Sequence, residues 1–262
     1  MSQRILKTQL SETTYIYVCD RIQNLAQQKK SSYVIAANVH VVMTAYWKRS
    51  YQHILSKAAI ITPDGMPLVI GMRLLGAKQQ QRVYGPDLML AWCDRAAKNH
   101  LPIYLYGSTP KTLDLLTKNL QQSFPSLKIA GAHSPPFRYL TQEESQADID
   151  RIHQSGAAVV FVGLGCPKQE EWMYRQLGTL NAVMIGVGAA FQFHSGEIAQ
   201  APRWMMKFSL EWLFRLFQEP GRLWSRYFMT NSAFVVLFSY QLLKHGITRI
   251  ANRFTSVRTI TD

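Results

Sequence analysis

Thr62-Pro63-Asp64-Gly65 follows the apolar run Ala58-Ala59-Ile60-Ile61 and precedes Met66 to Gly76, an apolar segment of helix length. A strand that ends in Asp-Gly and opens into a helix carries its carboxylate to the C-terminal edge of a sheet, where open α/β sheets bind ligands. Asp64 is therefore the candidate general base, although Asp-Gly is also an ordinary turn pair. A second stretch, Gly163-Leu164-Gly165-Cys166-Pro167-Lys168-Gln169-Glu170, follows the apolar run Ala157 to Val162. Its two glycines let the backbone approach a ligand closely, and the helix start after them offers free N–H groups to phosphate. Lys168 adds positive charge and Gln169 can hydrogen-bond a base or sugar. The alternative is a plain tight turn between strand and helix. The stretch lacks the third glycine of a dinucleotide fingerprint and is not a P-loop, which disfavours a nicotinamide-dependent oxidoreductase. Arg82 offers a basic group beside Gly85-Pro86-Asp87, where Pro86 suits a first helical position and Asp87 the positive end of a helix dipole. His40, His133 and His194 show no ligand spacing and no Asp-x-Asp motif of the metal-holding transferase type appears, so no metal is expected.

These residues need a scaffold that brings them together. Short apolar runs at Tyr33–Ala37, Ile60–Ile61, Pro102–Tyr106, Leu127–Ala130, Ala157–Val162 and Ala182–Val187 alternate with helical patterns. One of these helices, Thr141 to Ser155, opens with the capping-box pair Thr141 and Glu144. Six such alternations predict an α/β fold with a mostly parallel sheet and helices on both faces. Right-handed crossovers then gather Asn38, Asp64, Gly107, Gly163 and Gly188 at one edge.

Over 262 residues the net charge is +13, which calls for a polyanionic partner: a nucleic acid, an anionic lipid surface or a phosphorylated substrate. Three scattered cysteines, Cys19, Cys93 and Cys166, make no disulfide framework and point to a reducing compartment. Met1 to Leu10 has no apolar core of signal-peptide length, so export is not expected. The charge concentrates late: residues 203–258 hold nine Lys or Arg against two Glu. There Trp204, Phe208, Trp212 and Phe217 recur at helical spacing among Arg203, Arg215, Arg222 and Arg226. Tyr227 to Leu243 carries no charge, but Thr230, Asn231, Ser232, Ser239 and Gln241 interrupt it. Seventeen residues at about 1.5 Å each fall short of the hydrocarbon core, so a helix lying in the membrane plane is expected rather than a spanning one. A helix buried on the domain or in an oligomer is the alternative. The chain divides into a core, 1–200, and a basic, apolar helical appendage, 201–262.

Together the motifs Thr62-Pro63-Asp64-Gly65, Arg82 to Met89, Val162 to Glu170 and Gly186-Val187-Gly188-Ala189 resemble the WecG/TagA/CpsF glycosyltransferases. Ala201-Pro202-Arg203-Trp204, Leu210 to Leu216 and Glu219 to Leu223 extend the likeness, which covers roughly residues 10 to 228. The resemblance implies a Rossmann-like fold and an inverting transfer from a UDP-sugar of the N-acetylmannosamine, N-acetylmannosaminuronic acid or glucose type. The implied acceptor is a sugar on a polyprenyl diphosphate at the cytoplasmic membrane face, used in cell-surface polysaccharide synthesis. By position it makes Asp64 the base and Asn38, Arg82 and Gln169 part of the donor and acceptor pocket. Gly85, Asp87, Gly107, Gly163, Gly165, Pro167, Lys168, Glu170 and Gly188 complete the candidate pocket. Arg203, Arg215, Arg222 and Arg226 are assigned to phosphate or membrane contact. Ala36 stands where the family often has Thr, and Pro86 where Gly-Thr-Asp is common, which points to a different sugar or acceptor geometry. Expected partners are the UDP-sugar, the lipid-linked acceptor, an anionic membrane surface and another copy of the chain, but not nucleic acid. The rival class is a non-catalytic basic protein that binds anionic membrane or nucleic acid.

Overall fold

Six strands pair in parallel to form the centre of the molecule. The computed structural model describes residues 1–258, without the side chains of Arg222, Arg226 and residues 248–258. In chain order the strands are β1 (Ser2–Ile5), β2 (Thr8–Ser11), β3 (Ser32–Ala37), β4 (Ile60–Pro63), β5 (Ile103–Gly107), β6 (Ile129–His133), β7 (Val159–Gly163) and β8 (Val183–Gly186). The helices are α1 (Tyr15–Gln27), α2 (Val39–Trp47), α3 (Arg49–Ser56), α4 (Met66–Leu74), α5 (Gly85–Lys98), α6 (Pro110–Ser123), α7 (Gln142–Ser155), α8 (Lys168–Arg175), α9 (Ala190–His194), α10 (Arg203–Lys207), α11 (Glu211–Gln218) and α12 (Pro220–Arg258). The sheet is parallel, as the alternating pattern predicts, and its strand order is β4-β3-β8-β7-β5-β6. β1 and β2 form a separate antiparallel pair that the sequence reading did not anticipate.

Alternation along the strands divides the core into two layers. Tyr33, Ile35 and Ala37 of β3 pack on one face with Met43, Leu68, Ile149 and Met173 of α2, α4, α7 and α8. Val34 of the same strand packs on the other face with Ile22, Trp92 and Leu116 of α1, α5 and α6. Local chemistry starts several helices. Thr14, Asn38 and Thr109 cap α1, α2 and α6, each accepting a backbone N–H with its side chain. Thr141 and Glu144 form the anticipated reciprocal cap on α7, and Gly156 ends that helix in the left-handed region.

The last helix is continuous from Pro220 to Arg258 and is held to the body on one side. Phe234 and Phe238 are buried in the same core layer as α2 and α4. A Cβ on Gly71 of α4 would lie 2.9 Å from the Phe238 ring, so only glycine admits this approach. Gln241 adds a polar clasp: its Oε1 accepts from the Leu6 amide at 2.7 Å and its Nε2 donates to the Arg4 carbonyl at 2.7 Å. The uncharged run is therefore partly a protein-packing face. Its other side exposes Phe228, Met229, Val235, Val236, Tyr240 and Leu243. Among the described residues no helix is long and apolar enough to cross a membrane.

Candidate active site

A cleft of ≈ 400 Å³ opens along the C-terminal edge of the sheet, within the range of ligand pockets. β4 ends at Pro63 and delivers Asp64 to it. β3 ends at Ala37 and delivers Asn38, whose exposed side chain lines the cleft while its Oδ1 caps α2. The turns after β7 and β8 supply Gly163, Gly165 and Gly188.

Asp64 is the centre of the electrostatics. Its Oδ1 accepts the Gly85 amide at 2.6 Å, the first N–H of α5, so the positive end of that helix faces the carboxylate. Burial nevertheless dominates and pushes the Asp64 carboxyl up to about 6, with Arg82 pulling down and Glu211 pushing up. Arg82 holds the site together. Its Nε donates to the Asp64 carbonyl at 2.5 Å, its Nη2 pairs with Glu211 Oε2 at 2.5 Å, and its guanidinium lies 4.1 Å from the Tyr84 ring centroid. Tyr84 donates its hydroxyl to the other oxygen of Glu211 at 2.9 Å. Glu211 begins α11, so one carboxylate ties the basic appendage to the segment before α5, whose Arg82 in turn holds the backbone of the candidate base.

Gln169 joins the two glycine turns. Its Oε1 accepts the Gly188 amide at 3.1 Å and its Nε2 donates to Glu170 at 2.7 Å. It lines the cleft while fastening β7's turn to β8's. Glu170 is fully buried behind the cleft with Tyr51 and Cys166 nearby, and burial drives its carboxyl up toward the neutral acid. Gly107 also lies behind the cleft lining. A Cβ there would come within 2.7 Å of the Gly163 backbone, and its φ is +118°, so glycine lets β5 and β7 end side by side.

The remaining sequence candidates scatter. Gly85 acts through its amide, and neither Pro167 nor the exposed Lys168 lines the cleft. Asp87 pairs with Arg203 at 2.9 Å on the outer rim. Arg215 reaches the cleft, where its guanidinium lies 5.6 Å from the Phe193 ring centroid. The side chains of Arg222 and Arg226 lie outside the described residues. Among the described residues no three His, Cys, Asp or Glu side chains converge as metal ligands would.

Tyr84, Glu211, Trp212, Tyr227 and Asn231 also line the cleft, beyond the candidate site residues of the sequence. Glu211 carried a signal: it is one of two acids in a strongly basic segment. Such an isolated acid has a specific partner or a cost.

The arrangement resolves into a near-neutral carboxylate beside an arginine, next to glycine turns that can admit a diphosphate. The profile of the glycosyl transferase WecG/TagA/CpsF family matches residues 3–247. The chain is 32% identical over 217 residues to an N-acetylglucosaminyldiphosphoundecaprenol N-acetyl-beta-D-mannosaminyltransferase of Bacillus spizizenii, covering 82% of this chain and 78% of that one. A protein of the same name from Staphylococcus aureus is 27% identical over 243 residues, covering 92% of this chain and 91% of its own. With its parallel sheet, its edge carboxylate and a match over nearly its whole length, the chain belongs to the WecG/TagA/CpsF family of glycosyl transferases.

Proposed function

We propose that this enzyme transfers a sugar from a UDP-sugar to a sugar carried on a polyprenyl diphosphate, with inversion at the anomeric carbon. The observation that carries the reading is Asp64 at the cleft, its carboxyl raised to about 6 beside Arg82 and the N-terminus of α5. A carboxylate with that pKa is ionised at neutral pH and is a better base than an ordinary aspartate. The acceptor hydroxyl attacks the anomeric carbon from the face opposite the diphosphate, and Asp64 takes its proton. The bond from that carbon to the diphosphate oxygen breaks and UDP departs with the electron pair. Arg82, Arg215 and the amides of the glycine turns supply the positive potential for the leaving charge. The chemistry runs without a divalent ion in this reading.

N-acetylmannosamine is the first donor sugar to test, because the relatives above are named for it. The apolar side chains left exposed on α10 to α12, with the surrounding basic residues, suit the headgroup boundary of an anionic membrane. That supports a peripheral enzyme working on the cytoplasmic face. The decisive experiment incubates the full chain with a panel of UDP-sugars and an N-acetylhexosamine 1-diphosphate on a short alkyl chain, reading product mass and UDP release. One sugar added per acceptor, lost with Asp64→Asn, supports the proposal. Vesicle binding with no UDP released from any donor would make the chain a membrane-binding protein instead.

A further inference from the structure

We propose that the inner face of α12, centred on Asn231, recognises the sugar of the lipid-linked acceptor. The inference rests on the transfer reading above. Tyr227, Thr230 and Asn231 are spaced i, i+3 and i+4, so they share one helical face, and all three line the cleft. Thr230 is buried in the wall, whereas Asn231 is half-buried. Among the described residues the Asn231 amide makes no hydrogen bond, so it presents a donor group and an acceptor oxygen to whatever fills the cleft. Trp212 of α11 lines the same cleft, edge-on to Tyr227 with ring centroids 6.2 Å apart. A cleft lined by an amide and by aromatic rings is suited to a pyranose, whose hydroxyls need both donor and acceptor and whose C–H face packs on aromatic surface.

Two features assign this wall to the acceptor rather than the donor. The diphosphate of the donor has its candidate groups on the sheet side, in the backbone of the Gly165 turn and in Arg82. The α12 wall belongs to a helix outside the sheet, and that helix also carries the exposed Trp224, Phe228 and Val235. An acceptor leaving the cleft past Asn231 therefore meets apolar surface within about one helical turn, which is where a polyprenyl tail must go. The uncharged run thus divides its work: Tyr227 and Asn231 face the cleft, Phe234 and Phe238 face the core with Leu237 and Leu242 packed beside them, and Phe228, Val235, Val236 and Tyr240 face outward.

The test is steady-state kinetics of the full chain carrying Asn231→Leu, which keeps side-chain size and removes the hydrogen bonds. The probe is the N-acetylhexosamine 1-diphosphate on a short alkyl chain, with the wild type first shown to transfer sugar to it. Loss of about 1.4 kcal/mol of hydrogen bonding raises the acceptor KM about tenfold. The donor KM stays within about twofold. Asn231→Gln recovers part of the acceptor affinity if an amide is what the sugar needs. An unchanged acceptor KM, or a rise confined to the donor KM, would overturn the assignment. Asn231→Ala removes the same hydrogen bonds should the leucine variant fail to fold. A wild type that transfers nothing would instead refute the transfer reading, before any variant is made.

Discussion

Lowering the pH should switch this enzyme off near 6, well above the range of an ordinary aspartate. Asp64 has its carboxyl raised from 3.8 to about 6, chiefly by burial. One pH unit above that value about nine-tenths of the base is ionised, and one unit below about a tenth. Between pH 7 and 5, kcat/KM should therefore fall about tenfold, whereas a carboxyl at 3.8 would leave the rate flat. The same shift sets a stability difference. Because the folded state raises the pKa, it binds the proton more tightly than the unfolded chain. That stabilisation is complete below the unfolded value and is lost as pH rises through about 6. Asp64→Asn imitates the protonated acid and can still accept the Gly85 amide. It should be more stable than wild type at pH 8 by as much as about 3 kcal/mol, a rise of several degrees in Tm. The gain should shrink to less than about 1 kcal/mol by pH 4. The variant should also lose about 10²–10⁴-fold in kcat. Rate profiles in a buffer series and thermal melts of both proteins at pH 4, 6 and 8 measure all of this. An acid limb near 4, or an Asn variant no more stable at pH 8, would refute burial as the source of the base's pKa.

The neighbours of Asp64 should move that limb in opposite directions. Glu211→Gln removes a negative neighbour and shifts it to lower pH, while Arg82→Gln removes the positive one and shifts it higher. Identical pH profiles for both variants would count against the coupling. Gly165→Val should weaken UDP binding in calorimetry, because φ at this position is +77°, a region valine rarely adopts, although open space surrounds it. Turnover should survive a chelator, and rescue by magnesium or manganese would contradict the proposed metal independence. Replacing the exposed Trp224, Phe228 and Val236 together with serine should abolish flotation with anionic vesicles and leave Tm nearly unchanged. Continued flotation would move the membrane surface elsewhere.

The sheet was legible because buried parallel strands read as unbroken apolar runs between helical patterns. Asp64 was legible because a carboxylate follows such a run directly. Other contacts escaped for physical reasons. The β1–β2 pair is four residues a side, and strands that short carry little periodicity. The Arg82–Glu211 pair joins residues 129 positions apart, and charge counting records both without pairing them. In Tyr227 to Leu243, polar residues looked like interruptions of a membrane-facing helix. Thr230 and Asn231 line the cleft and Gln241 makes the clasp, on a helix that packs against protein along one face. Asp87 and Arg203 look like site residues in sequence but meet each other on the rim.

Gln241's hold on Arg4 and Leu6 has a consequence for biosynthesis. Chains fold broadly in the order they are made, so the hairpin at residues 2–11 can pack on β4 and α4 early but must wait for almost the whole polypeptide before the Gln241 clasp exists. Until then, the Gly71 groove lacks Phe238 and the cleft lacks its α12 wall. A nascent chain that already has its sheet and Asp64 is thus still an unfinished enzyme. A ribosome that stalls before Pro220 releases a protein without the wall beside its base, so an aborted product has no complete pocket in which to spend an activated sugar.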